Sequence, residues 1–565
     1  MTDRIAIALA QLNPTVGAIT ANIDRIRTAR AEAAARAADL VVCPELSVSG
    51  YPPEDLVAKP FFLESVEVAV REFAEETADG GPAILLGAPW LADGKVHDAA
   101  LLLDGGRITA VRFAHVLGAQ VLAAQVLTDE AGSGTRGRFA AGPVPGPVNF
   151  RGTRLGVLIG ADISTPDVAE ALGECGAELL VHISATPFGT DAQDRRMSVA
   201  VARVTETGMP LVSVNQTGGQ DELVFDGSSF ALGVDNALKA HAPAFREVLA
   251  VTRWERGDDE DWICREGELA PPPAGHEAVW QALTLGLRDY VNKNGFAGVL
   301  IGLSGGIDSA LVAALAVDAL GPDRVRPVFL PSHNTSRQSR LNAAEVADLL
   351  GCKLDEFSID AALRAFDTIL GSAFAGRNAD STEENIQARL RAVTLMALSN
   401  KFGALVLSAL NKSEFCVGHA TLNGDVFNGF AVLRDVYKTD VVALSRWRNG
   451  ALPNGAQGPA GRIIPEHVIA RPPSAELKPG QTDVASLPPY DILDDILHCL
   501  VDRDMDTPAI LERGHDIITL ERVWRMVVRA EYKRRQAPPG VRLGDGLNGG
   551  IERRLPITNS FAVLS

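Results

Sequence analysis

The chain has 565 residues, 46% hydrophobic and 22% charged, and a formal net charge of −18. That length exceeds one core and sets a prior of roughly two to four domains. The acidic balance argues against a nucleic-acid surface, six scattered cysteines without CxxC spacing argue against a zinc site or disulfide framework, and no apolar run is long enough to span a membrane. MTDRIAIALAQLNP carries no signal-peptide core, so a cytoplasmic setting is the expectation.

In the first half, apolar runs at Ile5–Gln11, Leu40–Cys43, Ala83–Ala88, Leu155–Ile159, Glu178–Ile183 and Leu211–Asn215 read as strands, and Ala21–Ala38 as a helix. Strands alternating with helices predict an α/β fold. Trp254–His276 is acidic and then proline-rich, stiffened by Pro271, Pro272 and Pro273. The predicted division is therefore a first domain over 1–252, a linker over 253–276 and a second domain over 277–565.

The second half opens with an amphipathic helix, Ala278–Lys293, and an apolar strand, Gly298–Leu303. The turn Ser304-Gly305-Gly306-Ile307-Asp308-Ser309 follows, and then a second helical pattern. Strand, Gly-rich turn and helix N-terminus make an anion site: backbone N–H groups converge, the helix dipole is positive there, and glycine lets the backbone approach a phosphate. Ser304 and Ser309 add hydroxyls, whereas the Asp308 carboxylate is compatible with phosphate only with a cation between them, which suits Mg²⁺. The turn lacks the GxxxxGK[ST] pattern. Further strands at Arg324–Leu330, Lys353–Ile359 and Ala404–Leu410, with helices at Ser339–Leu350 and Thr382–Lys401, predict a doubly wound parallel sheet with its ligand at the strands' carboxyl ends.

SGGIDS resembles the pyrophosphate loop of the N-type ATP pyrophosphatases. With TEENIQARLR (382–391), NKSE (411–414), RDVYKT (434–439), RPPSAEL (471–477) and EYKRRQAPPG (531–540), the second half resembles the catalytic domain of glutamine-dependent NAD⁺ synthetases. The resemblance implies ATP and Mg²⁺ as cofactors and deamido-NAD⁺ as the acceptor. It assigns Ser304, Gly305, Gly306, Asp308, Ser309, Arg389 and Thr421 to ATP, and Asp308 and Glu414 to the metal. Asp308, Lys438 and Ser474 are the expected catalytic groups, and Asn385, Asp425, Asp435 and Lys533 the expected acceptor contacts. Departures stand at His419 and Asn423, where the family has tyrosines, at Leu410 in place of a glycine, and at Asn334 in place of a tyrosine. They leave two alternatives open: a different carboxylic acid as substrate, or a non-catalytic nucleotide-binding partner.

VVCPELSVSGYPPEDL, GVLIGADIS, ISATPF and VNQTGGQDELVFDGSSF make the first half resemble the nitrilase superfamily, which implies an α-β-β-α sandwich and a Glu, Lys, Cys triad that hydrolyses glutamine. The triad positions hold Glu45, Ala114 and Gly160. A glycine supplies no nucleophile, and losing one costs on the order of 10⁶ in rate. A degenerate glutaminase, ammonia from an external source and a homo-oligomer are the expectations. The apolar insert Leu117–Phe139 is read either as a plug for the vacated pocket or as a surface loop.

Overall fold

The computed structural model describes residues 3–117, 139–257, 261–426, 429–474, 476–478, 487–544 and 555–558. The chain forms two compact units, Met1–Pro273 and Ala274–Ser565. Among the described residues, no helix is long and apolar enough to cross a membrane.

The first unit holds two large sheets. One runs, edge to edge, Trp262–Glu266, Val248–Arg256, Arg4–Gln11, Leu40–Val42, Ala83–Ala92, Lys95–Asp104, Arg107–Phe113. The other runs Leu238–His241, Phe230–Leu232, Leu211–Asn215, Leu179–Ser184, Thr153–Ile159, Val148–Phe150. Period-2 alternation sorts the side chains into layers. Ile5, Ile7 and Leu9 meet Val157, Ile159, Val181 and Val212 between the sheets. Ala8 and Ala10, on the other face of the same strand, pack against Ile23, Ile26, Val66 and Val70 of the helices Ile19–Ala35 and Pro60–Glu76. Leu158, Leu180 and Leu211 likewise meet Val168, Leu172 and Val204 of Pro166–Glu174 and Ala192–Thr207. The result is the expected α-β-β-α sandwich.

The predicted linker differs from the structure. Val248–Arg256 pairs with Trp262–Glu266 as a hairpin, with Trp254 opposite Cys264 and Arg256 opposite Trp262. Trp254 and Trp262 are almost wholly buried in the inter-sheet core, and the unit ends at Pro273. The acidic residues decorate a strand pair whose alternate positions carry tryptophan, so a reading by charge alone placed the boundary early. The interior of the Leu117–Phe139 insert lies outside the described residues; its ends, Leu117 and Phe139, pack against the core.

The second unit is built on a five-stranded sheet, all of whose pairs are parallel, in the order Asp355–Glu356, Val325–Phe329, Val299–Gly302, Leu405–Ser408, Phe430–Ala431. In chain order that is third, second, first, fourth, fifth, so the direction of winding reverses at Val299–Gly302. In a doubly wound sheet this switch point opens a crevice at the strand's carboxyl end, and the Gly-rich turn follows that strand. The helix Ile307–Leu320 is buried from Ser309 to Leu320, its one polar residue beyond the first turn being Asp318, paired with Arg448, which fixes its N-terminus at the crevice.

Candidate functional site

At the switch point the turn is held by its own side chains. Ser304 Oγ lies 3.0 Å from Ser309 Oγ, Gly306 N–H donates to Ser304 Oγ, and Ser309 Oγ donates to the Gly306 carbonyl. Gly305 has φ +83°, and a Cβ there would sit 2.2 Å from the Ser339 carbonyl oxygen, so the turn needs glycine at that position. Asn342 Nδ2 donates to the Gly305 carbonyl at 3.2 Å from behind.

The turn forms one wall of a cavity of about 500 Å³, within the range of small-molecule sites. Ser304, Gly306, Asp308, Ser309, Asn385, Glu414, Thr421, Asp425, Lys438, Ser474 and Lys533 all line it. Residues spread over more than two hundred positions thus face one space. Lys438 Nζ bonds Asp308 Oδ2, and Asn411 Nδ2 donates to Asp308 Oδ1 at 2.9 Å. Lys438 is buried beneath Asp308, whose side chain remains one-fifth exposed to the cavity. Thr421 Oγ donates to Asn385 Oδ1 at 2.8 Å, and Thr421 N–H to Asp425. Lys533 Nζ donates to the carbonyls of Gly418 and Ala420, and burial holds its pKa below the ordinary lysine value.

Three predicted residues sit elsewhere. Gly305 shapes the turn without lining the cavity. Arg389 points away, its Nε donating to the Leu422 carbonyl at 3.3 Å. Two residues along a helix is about 200°, so Arg391 takes the cavity side, with its Nε on the Leu330 carbonyl. Asp435 is buried against Lys412 Nζ at 2.7 Å and accepts the N–H groups of Leu543 and Gly544, so its oxygens serve the wall.

Sequence reading missed the pins of the 471–477 segment. Arg471 reaches Ser339 Oγ at 2.9 Å and Glu476 Oε1 at 2.7 Å, and Glu476 accepts from Ser339 Oγ. Gln387 Nε2 and Asn334 Nδ2 both donate to the Leu477 carbonyl. Asn334, which departs from the family pattern, is therefore occupied in holding this segment. Asn423 likewise suits its place, with φ +59° in the left-handed region asparagine tolerates.

Asp308 and Glu414 fit a magnesium ion chemically: two carboxylates face a cavity with an anion-binding turn, and Mg²⁺ takes one or two carboxylates plus substrate phosphates. Among the described residues no group of three or more His, Cys, Asp or Glu is placed to hold a metal ion.

In the first unit Glu45 is buried, with Oε2 accepting from Ala185 N–H at 2.9 Å and hydrogen-bonded to Asp98. Burial pushes the Glu45 pKa up to about 7, and burial with the neighbouring carboxylate pushes Asp98 well above the carboxylate range, so the pair holds a proton between them. Gly160 faces this pair: a Cβ there would sit 2.7 Å from Glu45 Oε1. Ala114 is buried between the sheets. His182, kept neutral by burial with its pKa lowered to about 4, bridges Ser213 Oγ and the Gly160 carbonyl. The unit's cysteines lie in other settings. Cys43 packs in the helix-side core, Cys175 is exposed after the helix Pro166–Glu174, and Cys264 donates to the Glu266 carbonyl.

A family profile described as NAD synthase matches residues 279–537, and one described as carbon-nitrogen hydrolase matches 6–261. A glutamine-dependent NAD(+) synthetase of Rhodobacter capsulatus is 43% identical over 561 residues, covering 99% of both chains. One of Xanthomonas campestris is 41% identical, covering 99% of this chain and 98% of its own. The structure of the glutamine-dependent NAD⁺ synthetase of Acinetobacter baumannii in complex with ADP superposes with a TM-score of 0.75 at 35% identity, covering 98% of this chain and 99% of that one. Relatives this similar are named glutamine-dependent, which corrects the expectation of a degenerate glutaminase; the two sheets, the flanking helices and the Glu45 setting are those of the expected scaffold. The positions read as lysine and cysteine sites hold Ala114 and Gly160 in this sequence.

Proposed function

The chain belongs to the glutamine-dependent NAD⁺ synthetase family and is a carbon–nitrogen ligase, and from that premise we propose that it amidates deamido-NAD⁺ with ATP, taking free ammonia as its nitrogen donor. The observation that carries the ligase reading is the convergence of Ser304, Asp308, Glu414 and Lys438 on one cavity at the switch point. The turn's N–H groups and the dipole of Ile307–Leu320 receive phosphate. Magnesium, held by Asp308 and Glu414, would offset charge on the phosphates. Lys438 supports the charge that develops as pyrophosphate leaves, and Ser474 and Arg391, which line the same cavity, contact the nucleotide. Asn385, Asp425 and Lys533 form the wall assigned to the dinucleotide, and Thr421, assigned to ATP, is hydrogen-bonded to Asn385.

The carboxylate oxygen of deamido-NAD⁺ attacks the α-phosphorus, and the bond to the bridging oxygen of pyrophosphate breaks. Ammonia then attacks the acyl carbon, the carbon–oxygen bond to AMP breaks, and the nitrogen gives up a proton. The mixed anhydride is open to hydrolysis, so the pinned 471–477 segment serves to exclude water.

The ammonia reading rests on Gly160 and Ala114, which offer neither a thiolate nor an amine beside Glu45. Parallel assays with ammonium and with glutamine test it. Ammonium is expected to sustain formation of NAD⁺, AMP and pyrophosphate, with glutamine at background. Glutamate released in step with NAD⁺ overturns the ammonia reading alone, and absence of NAD⁺ with either donor overturns the ligase reading.

A further inference from the structure

Asp494 is a carboxylate placed where packing calls for none. It lies on the helix Tyr490–Leu497, whose Leu493, Ile496 and Leu497 enter an apolar cluster with Leu520, Val523 and Val527. Asp494 is 5% exposed, and burying a carboxylate costs several kcal/mol unless donors surround it. Its donors come from two other elements. Ser413 Oγ donates to one oxygen, and both the N–H and the hydroxyl of Thr439 donate to the other at 2.9 Å. Ser413 Oγ in turn accepts the Lys438 N–H at 2.9 Å.

These partners are sequence neighbours of the groups that face the phosphates. Ser413 precedes Glu414, and Thr439 follows Lys438. One carboxylate thus ties together the first turns of Lys412–Val417 and Lys438–Gly450. The same helix supports Lys438 a second time, with the Tyr490 ring centroid 5.6 Å from its Nζ. The helix continues as a wider π turn, His498–Asp502, which brings Asp502 to within 2.8 Å of Lys412 Nζ. Such a turn shifts the register of the side chains beyond it.

We propose that Asp494 is a positioning residue for the ligase reaction, setting Lys438 and Glu414 relative to Asp308 through Ser413 and Thr439. This inference rests on the ligase reading above. Ser413 and Thr439, which hold Asp494, do not line the cavity, so Asp494 acts on orientation and leaves the binding of the adenosine to other walls. Its removal is therefore felt in turnover more than in nucleotide affinity.

The test is a double-mutant cycle on the full-length protein, with ammonium as donor. Asp494→Asn keeps the shape but turns one acceptor into a donor facing donors. It is expected to lower kcat by about 10- to 100-fold with KM for ATP changed by less than about threefold, as misplacement by a fraction of an ångström does. In a Lys438→Ala background the same change is expected to have a smaller effect, because only the route through Ser413 to Glu414 then remains. Thr439→Val, which deletes one hydroxyl donor, is expected to lower kcat by a smaller factor along the same route, and it decides the matter if Asp494→Asn does not fold. Unchanged kcat in the folded variants, or an equal loss with and without Lys438, overturns the proposal. Wild-type protein that makes no NAD⁺ from ammonium instead overturns the ligase reading, and this inference with it.

Discussion

The two units preserve their sites in opposite ways. In the first, Glu45 is buried and held by Ala185 N–H, with Gly160 facing it and Ala114 in the inter-sheet core. In the second, Asp308, Glu414 and Lys438 survive, and the substituted positions have been absorbed into the wall, with Asn334 on the Leu477 carbonyl and Leu410 in an apolar cluster with Phe415 and Val426. A fold tolerates loss of a reacting side chain because that side chain seldom holds the core together. It tolerates substitution beside a working site only where the new side chain finds partners.

The contrast is sharpest for nitrogen supply. Glutamine-supported turnover is expected to fall below ammonium-supported turnover by several orders of magnitude, given the ~10⁶ cost of losing a nucleophile, measured as NAD⁺ formed against glutamate released. Gly160→Cys alone is expected to leave that gap open. Its Cβ would press on Glu45 Oε1, at 2.7 Å, and Ala114 would still offer no amine. A large gain of glutaminase activity in this single variant would break the comparison.

In the second unit, Asp308→Asn is expected to lower ammonium-dependent kcat by about 10²–10³-fold, because it removes a negative charge that both Lys438 and the metal require. The readout is single-turnover AMP formation with Mg²⁺ held in excess.

The Glu45–Asp98 pair gives a stability signature. Glu45 has its folded pKa raised from 4.5 to about 7. The folded state therefore holds a proton the unfolded chain releases, and the associated stability is full below pH 4.5 and lost as pH rises through 7. Glu45→Gln removes this titration and is expected to flatten the decline between pH 5 and 8, by on the order of 1–3 kcal/mol, as read by urea unfolding at the two pH values. A variant as pH-sensitive as the parent would place the titration elsewhere.

Smallest is Asn334→Ala. The Leu477 carbonyl keeps its bond from Gln387, so the loss is one hydrogen bond, about 0.5–1.5 kcal/mol, expected as a rise of a few-fold in KM for ATP with kcat nearly unchanged.

Much of this was legible in the chain. Short apolar runs announced the sandwich strands, and the strand–SGGIDS–helix order announced the phosphate turn, because local backbone preference and hydrophobic spacing are properties of neighbours in sequence. What the sequence left undecided depends on contacts between distant segments. Arg391 rather than Arg389 faces the cavity because of the rotation of one helix against its sheet. Asp435 is spent on Lys412 and the 543–544 backbone, and Trp254 and Trp262 anchor in the inter-sheet core a hairpin that charge alone marked as linker. Asp494 gains its meaning only from Ser413 and Thr439, 81 and 55 positions away. Charge and motif name the side chains available for chemistry; which carboxylate meets a phosphate and which is consumed by the scaffold is settled by the packing that desolvates each one.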